Sequence, residues 1–186
     1  SDVCCRCGTC EALCPRIEHV EDKPELVMYD PHCGLCFTYC PRNILDMGQM
    51  ESKLLGRTRN PEEKLGIYKK AISAQAVSRE GLAQDGGVAT ALLVFALESG
   101  VIDCAIVTDK DDEWRTVSRV VTTADEIRAA AGTKYTINNS VNSLAEALNM
   151  GFEKIGFVGT PCQIQGLRKV QLLEEPYQIG QEKIAL

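Results

Sequence analysis

The sequence predicts an α+β protein in two parts, a small cysteine-bound module followed by an α/β layer with a mixed sheet. Three observations predict it. Eight of the ten cysteines fall between Cys4 and Cys40. Beyond residue 70, segments of strand and helix character alternate. A polar stretch from Arg57 to Lys64, carrying the turn signal Asn60-Pro61, separates the two. The expected organisation is residues 1–50 as the first module, 51–67 as a linker and 68–186 as the second domain. A chain of 186 residues has room for one ordinary domain and a small one, not for three.

The first module is defined by its thiols. Cys4-x2-Cys7-x2-Cys10-x3-Cys14-Pro15 reproduces the bacterial ferredoxin run, in which three cysteines hold one cubane and the fourth reaches across to another. A second run, Cys33-x2-Cys36-x3-Cys40-Pro41, has the later positions of that motif, with Asp30 where its first cysteine would stand. Crossed pairing assigns Cys4, Cys7, Cys10 and Cys40 to the first cluster. Cys14, Cys33 and Cys36 fall to the second, completed by Asp30, His32 or the spare Cys5, or left as a three-iron cluster. Two [4Fe-4S] clusters, the second open to this variation, are therefore expected. Zinc ribbons use separate CxxC pairs, not a CxxCxxCxxxCP run. Between the runs, Glu25–Tyr29 reads as a short strand after a polar turn at Glu21–Pro24.

In the second module, strands are expected at Ile72–Val77, Val101–Thr108, Val117–Thr122 and Lys154–Val158. Helices are expected at Val88–Ser99, Ala124–Ala131, Leu144–Met150 and Pro161–Leu172. Thr123-x-x-Glu126 and Thr160-Pro161-Cys162-Gln163 are capping boxes, the second with proline at the first helical position. In Gln84-Asp85-Gly86-Gly87-Val88-Ala89-Thr90, two glycines precede a helix, where free N–H groups favour an anion such as a pyrophosphate. Gly132-Thr133-Lys134-Tyr135 combines a helix-stop glycine, a cation and an aromatic ring. The lysine reads equally as a helix cap or as part of a cofactor wall. Cys104 lies in an apolar strand and reads as core, and Asp109–Glu113 beside Trp114 as a solvated loop.

Composition removes several function classes. A net charge of -6 and a pI near 5.0, without a basic tract, argue against a nucleic-acid partner. The longest apolar run, Val88–Leu97, is broken by Thr90 and too short to cross a bilayer. No charged n-region and apolar h-region opens the chain, so a cytoplasmic location is expected. The only two histidines are His19 and His32. Chemistry beyond residue 40 must therefore proceed without imidazole, which excludes Ser-His-Asp triads, HExxH zinc sites and histidine bases there.

The stretches AQDGGVATALLVFALESGVIDCAIV, GTKY and VGTPCQIQGLRK, in this order, resemble the β subunit family of coenzyme F-420-reducing hydrogenase. The resemblance spans roughly residues 68–186 and extends to the β subunit of F-420-dependent formate dehydrogenase, the input subunit of F-420 dehydrogenase complexes and plant 7-hydroxymethyl chlorophyll a reductase. It implies a non-Rossmann FAD site that exchanges hydride with F-420. Carried over by motif, Gly86, Gly87, Val88, Thr90, Lys134 and Tyr135 would lie along the FAD, with Gly159, Thr160, Pro161, Cys162 and Gln163 as a second wall. No catalytic acid or base is assigned, since hydride transfer between stacked rings needs little proton chemistry. The implied role is an electron-entry subunit of a larger complex built on a hydrogenase, formate dehydrogenase, heterodisulfide reductase or similar partner. Two other readings are an entry subunit fed by NAD(P)H or ferredoxin, and a non-catalytic relay that only docks a partner. Family members continue beyond the residues matched here.

Overall fold

The two cysteine runs fold alike. In the computed structural model, which describes residues 3–21, 23–77, 84–172 and the backbone of 184–185, Cys7-Gly8-Thr9-Cys10 and Cys33-Gly34-Leu35-Cys36 each place a left-handed glycine before a one-turn helix. Gly8 has φ 87° and Gly34 φ 112°, backbone that a side chain would strain. Helices α1 (Thr9–Leu13) and α2 (Leu35–Tyr39) end at Cys14 and Cys40, both extended. Pro15 and Pro41 follow, and the residue before a proline is disfavoured in a helix.

Between them runs an antiparallel hairpin, β1 (Ile17–Val20) and β2 (Lys23–Leu26), with Ile17 opposite Leu26. The strand expected at Glu25–Tyr29 thus begins two residues earlier. Pairing with β1, which local pattern did not reveal, sets the register and leaves Met28 and Tyr29 outside the ladder. Pro24 is tolerated because the sheet has only two strands and hence only edges.

The stretch expected as a linker from residue 51 opens inside a helix, α3 (Met47–Leu55). Asp46 caps it by accepting from the Gln49 N–H at 2.9 Å, and Gly56 ends it in the left-handed region. Beyond it, Glu51 receives the Arg59 guanidinium and backbone N–H, and Arg57 grips Glu63 through two bonds of 2.6 and 2.7 Å. Ion pairs hold this polar stretch in a defined shape.

The second part comprises α4 (Val88–Glu98), β3 (Cys104–Lys110), β4 (Thr116–Val121), α5 (Ala124–Ala129), a 3-10 turn (Ser140–Asn142), α6 (Ser143–Asn149), β5 (Ile155–Phe157), α7 (Pro161–Gln171) and β6 (Ile184–Ala185). The sheet order is β4-β3-β5-β6, antiparallel at β3–β4 and parallel at β3–β5 and β5–β6. The mixed sheet is as expected. The strand expected at Ile72–Val77 does not form. Among the described residues its backbone tie is Ala76 N–H to the Gly86 carbonyl at 2.8 Å, and Ile72 and Val77 are exposed. Apolar residues without a ladder partner stay a loop.

Central strand β3 is buried on both faces. Cys104 and Ile106 pack with Val141, Leu144, Ile155, Phe157 and Leu167, whereas Ala105 and Val107 pack with Val94, Ile102, Val121 and Ile127. Cys104 is core, its thiol pushed up to about 11 by burial. The first core also takes in Ala12 from α1, so the cysteine module is seated on the α/β layer. Two glycines permit that close approach. A Cβ on Gly8 would run into the Asn139 carbonyl, and one on Gly166 of α7 into the Thr9 hydroxyl. Lys169 of α7 adds a cation, donating to the carbonyls of Cys40 at 2.8 Å and Ile44 at 3.1 Å.

Candidate functional site

Three loops at one edge of the sheet enclose a cavity of about 990 Å³. That is at the upper end of the ~300–1,000 Å³ typical of small-molecule and cofactor pockets. The first wall is the start of α4. Gly87, at φ 70°, lets the chain turn sharply into the helix, so the first-turn N–H groups of Val88 and its neighbours lack intrahelical partners. Gly86 lies against the loop, where a Cβ would come within 3.2 Å of the Ala74 carbonyl. Thr90 completes this wall.

The second wall is the segment after α5. Lys134 lines the cavity, but its Nζ donates to the carbonyls of Ala130, Ala131 and Gly132 at 2.6, 3.0 and 3.2 Å. It therefore caps α5, and burial lowers its pKa. Tyr135 is exposed, and its hydroxyl accepts a hydrogen bond from the Gln84 side chain. Gln84 also accepts from the Thr133 N–H at 3.3 Å, so one side chain ties the first two walls together.

The third wall is the start of α7, with Gly159, Thr160, Cys162 and Gln163. Pro161 begins the helix but does not line the cavity. Gln163 is fully engaged: its Oε1 accepts from the Thr160 N–H at 2.7 Å, and its Nε2 donates to the Asn138 carbonyl at 2.9 Å and Ser140 Oγ at 2.8 Å. Its buried amide fixes the wall rather than facing a ligand. Gly159 has no room for a Cβ between Phe157 and Gln163. The Cys162 thiol lies 3.2 Å from Thr160 Oγ1.

One lining residue comes from the cysteine module. Cys5, taken from the sequence as spare, lines the cavity, as does Cys162. Burial pushes Cys5 up to about 12, helped by Cys7 and Cys162. Local spacing could not reveal it, because the cavity brings together residues far apart in sequence. Gln84 stood inside a quoted motif, yet only the fold shows its partner.

Around the cysteine runs, burial pushes Cys10 up to about 12, with Cys7 the next contributor. Cys7 Sγ lies 3.3 Å from Thr9 Oγ1. Asp30 accepts from the His32 N–H at 2.9 Å and pairs with Arg16 at 2.6 Å, which hold its carboxyl below the usual range. Cys4, at the corresponding place in the first run, likewise accepts from the N–H two residues on, that of Arg6 at 3.4 Å. Among the described residues, no three Cys, His, Asp or Glu side chains converge on one point as for a single ion. A cubane takes thiolates spread over separate irons, and each run carries a Cys-Gly-x-Cys turn and a cysteine closing its helix.

Two family models match in succession: coenzyme F-420 hydrogenase/dehydrogenase, beta subunit N-term, over residues 71–145, and the C terminus of the same subunit over 152–186. The chain belongs to this family. Coenzyme F-420-dependent sulfite reductase of Methanocaldococcus jannaschii is 41% identical over 175 residues, 92% of this chain and 26% of that protein. Coenzyme F-420 hydrogenase subunit beta of Methanothermobacter thermautotrophicus is 44% identical over 126 residues, 66% of this chain and 45% of the relative. A chain of the F-420-reducing [NiFe] hydrogenase complex from Methanosarcina barkeri superposes with a TM-score of 0.51 at 42% identity, over 55% of this chain and 36% of that one. The chain thus spans between a quarter and a half of the curated relatives just named. No helix among the described residues is long and apolar enough to cross a membrane.

Proposed function

We propose that this chain is the electron-entry part of an F-420-linked oxidoreductase, holding FAD in the cavity and two iron–sulfur clusters in residues 1–50. The observation that carries the reading is convergence. Three family motifs, separated by up to some seventy residues in sequence, line one cavity together with a residue from the cysteine module. In this reading Gly86, Gly87 and Val88 present backbone N–H groups to the pyrophosphate, and Thr90 lies beside it. Lys134 holds the second wall through the α5 carbonyls and brings positive charge to the cavity, while Tyr135 offers an aromatic face. Gly159, Thr160 and Cys162 border the ring, with Pro161 and Gln163 fixing the wall behind them. Flavin there would take electrons as a hydride pair and release them singly, which iron–sulfur clusters require.

Cys4, Cys7, Cys10 and Cys40 hold the first cluster in this reading, and Cys14, Cys33 and Cys36 the second. Asp30 completes the second because its local turn repeats that of Cys4. Partner subunits of the hydrogenase or dehydrogenase type accept the electrons in the cytoplasm. The test is an anaerobic visible spectrum and flavin extraction of the purified complex, followed by titration with reduced F-420 and, as a control, NADH. Bleaching of flavin and cluster bands by reduced F-420 supports the reading. Clusters without extractable flavin overturn it, and bleaching by NADH alone replaces the donor.

A further inference from the structure

We infer that Glu11, one residue beyond Cys10, holds down the reduction potential of the cluster of Cys4, Cys7, Cys10 and Cys40 through its buried negative charge. The inference rests on the cluster reading above and adds to it a positioning residue that is not a ligand. Glu11 lies in the first turn of α1, between the module and the α/β layer, and its side chain is only 3% exposed. A carboxylate is seldom buried this far unless it is firmly paired. Asn139 of the layer donates to Glu11 Oε2 at 2.9 Å, and His19 of β1 meets the same oxygen at 3.2 Å. The other oxygen, Oε1, is buried and has no hydrogen-bond partner. Among the described residues no lysine or arginine pairs with Glu11, and His19 answers its charge only when protonated.

A cluster takes up negative charge when it is reduced. A fixed negative charge beside it makes that step less favourable, and the more so where water does not screen the field. The Cys10 thiol feels the same field: burial and Cys7 push it up to about 12, and Glu11 adds to them. Other groups act in the opposite sense. The Arg6 N–H donates to Cys4 Sγ at 3.4 Å, Thr9 Oγ1 lies 3.3 Å from Cys7 Sγ, and Lys169 holds the Cys40 carbonyl at 2.8 Å. These raise the potential, and Glu11 offsets them from inside the seam. The second run differs. No acidic residue lies between Cys33 and Cys40, and Asp30 before them is paired directly with Arg16 at 2.6 Å. The two clusters therefore feel Glu11 unequally.

The test is a redox titration of the holo-complex followed by electron paramagnetic resonance, in wild type, Glu11→Gln and Glu11→Asp, with iron and sulfide measured in each. Glu11→Gln removes the charge at nearly constant shape. It should move the midpoint of one cluster wave upward and that of the other by less, at unchanged iron content. Glu11→Asp keeps the charge but shortens the reach to Asn139 and His19, so a charge effect leaves the wave near its wild-type midpoint. Midpoints that stay put in Glu11→Gln overturn the inference, as does equal movement of both waves. A shift in Glu11→Asp as large as in Glu11→Gln overturns it too, since it would mark a structural role, and so does loss of iron from Glu11→Gln. Absence of cluster signals from the wild-type complex overturns the cofactor reading itself, a distinct result.

Discussion

The cysteine module and the α/β layer are built on opposite terms. In the layer, β3 is covered on both faces by aliphatic side chains, and Ile106, Leu144, Ile155 and Leu167 are essentially inaccessible. Truncating any of these to alanine costs about 2–5 kcal/mol. In the module, Val27, Met28, Tyr29 and Phe37 stand in solvent, and the buried set consists largely of Cys7, Thr9, Ala12, Cys14 and Tyr39. So little apolar burial cannot offset the ordering entropy of some forty residues. On the proposed reading, the module therefore depends on its clusters and on what it sits upon.

The largest effect follows directly. Stripping iron with a chelator under reducing conditions should raise hydrogen exchange across residues 3–44 to near-unfolded rates while the amides of β3, α6 and α7 stay protected. Equal loss in both regions would show that the layer depends on the clusters too. Uniform retention would show that the module folds on its own contacts.

Next in size is the seam. Because Thr9 is buried beneath Gly166, a Cβ at that position has nowhere to go. Gly166→Ala should cost about 3 kcal/mol in denaturant unfolding. Adding Thr9→Ala should recover about 1 kcal/mol, since the two residues touch and their effects are not independent. An additive double mutant would remove the seam from the comparison.

The same contrast decides what could be read from the sequence. Helices α4, α5 and α7 lie within a few residues of their expected bounds because each has a local signal: the Gly86-Gly87 turn, the Thr123/Glu126 box and Pro161 after Thr160, respectively. The cysteine runs were legible because two- and three-residue spacing is itself the constraint. What failed depended on partners. Ile72–Val77 has strand composition but, among the described residues, no strand beside it, and β1 and β2 define one another. Helix α3 lay under a polar stretch whose Glu51–Arg59 and Arg57–Glu63 pairs only the fold shows. Cys5 looked spare until the fold showed the cavity that it lines.

A smaller effect concerns the cation at the seam. Lys169 satisfies two carbonyls at the end of α2, so Lys169→Met should cost about 1 kcal/mol, the worth of a charged hydrogen bond near the surface. Its signature is local: faster exchange at residues 40–44 with α7 itself unchanged. Faster exchange throughout α7 would instead mean that Lys169 supports the layer rather than the module.

The smallest effect lies in the stretch joining the regions. Arg57 holds the Glu63 carboxyl down to about 2 from its ordinary 4.5. A carboxylate whose pKa is lower folded than unfolded stabilises the fold while ionised, so its contribution is complete above about pH 4.5 and is lost as pH falls toward 2. Glu63 contacts water, so solvent screening keeps the effect slight. Glu63→Gln should nevertheless flatten the acid side of the melting-temperature profile between about pH 5 and 2.5 and leave the neutral value almost untouched. If the profile keeps its slope in Glu63→Gln, the acid sensitivity belongs to the other carboxylates whose pKa is held down: Asp30 beside Arg16, Glu51 beside Arg59, Asp111 bonded to the Arg115 N–H and side chain, and Glu126 in the α5 capping box. Asp30→Asn then separates the cysteine module from the rest, because of these four only Asp30 lies within it. Acid weakness traced to Asp30 would mean that the module yields before the layer does.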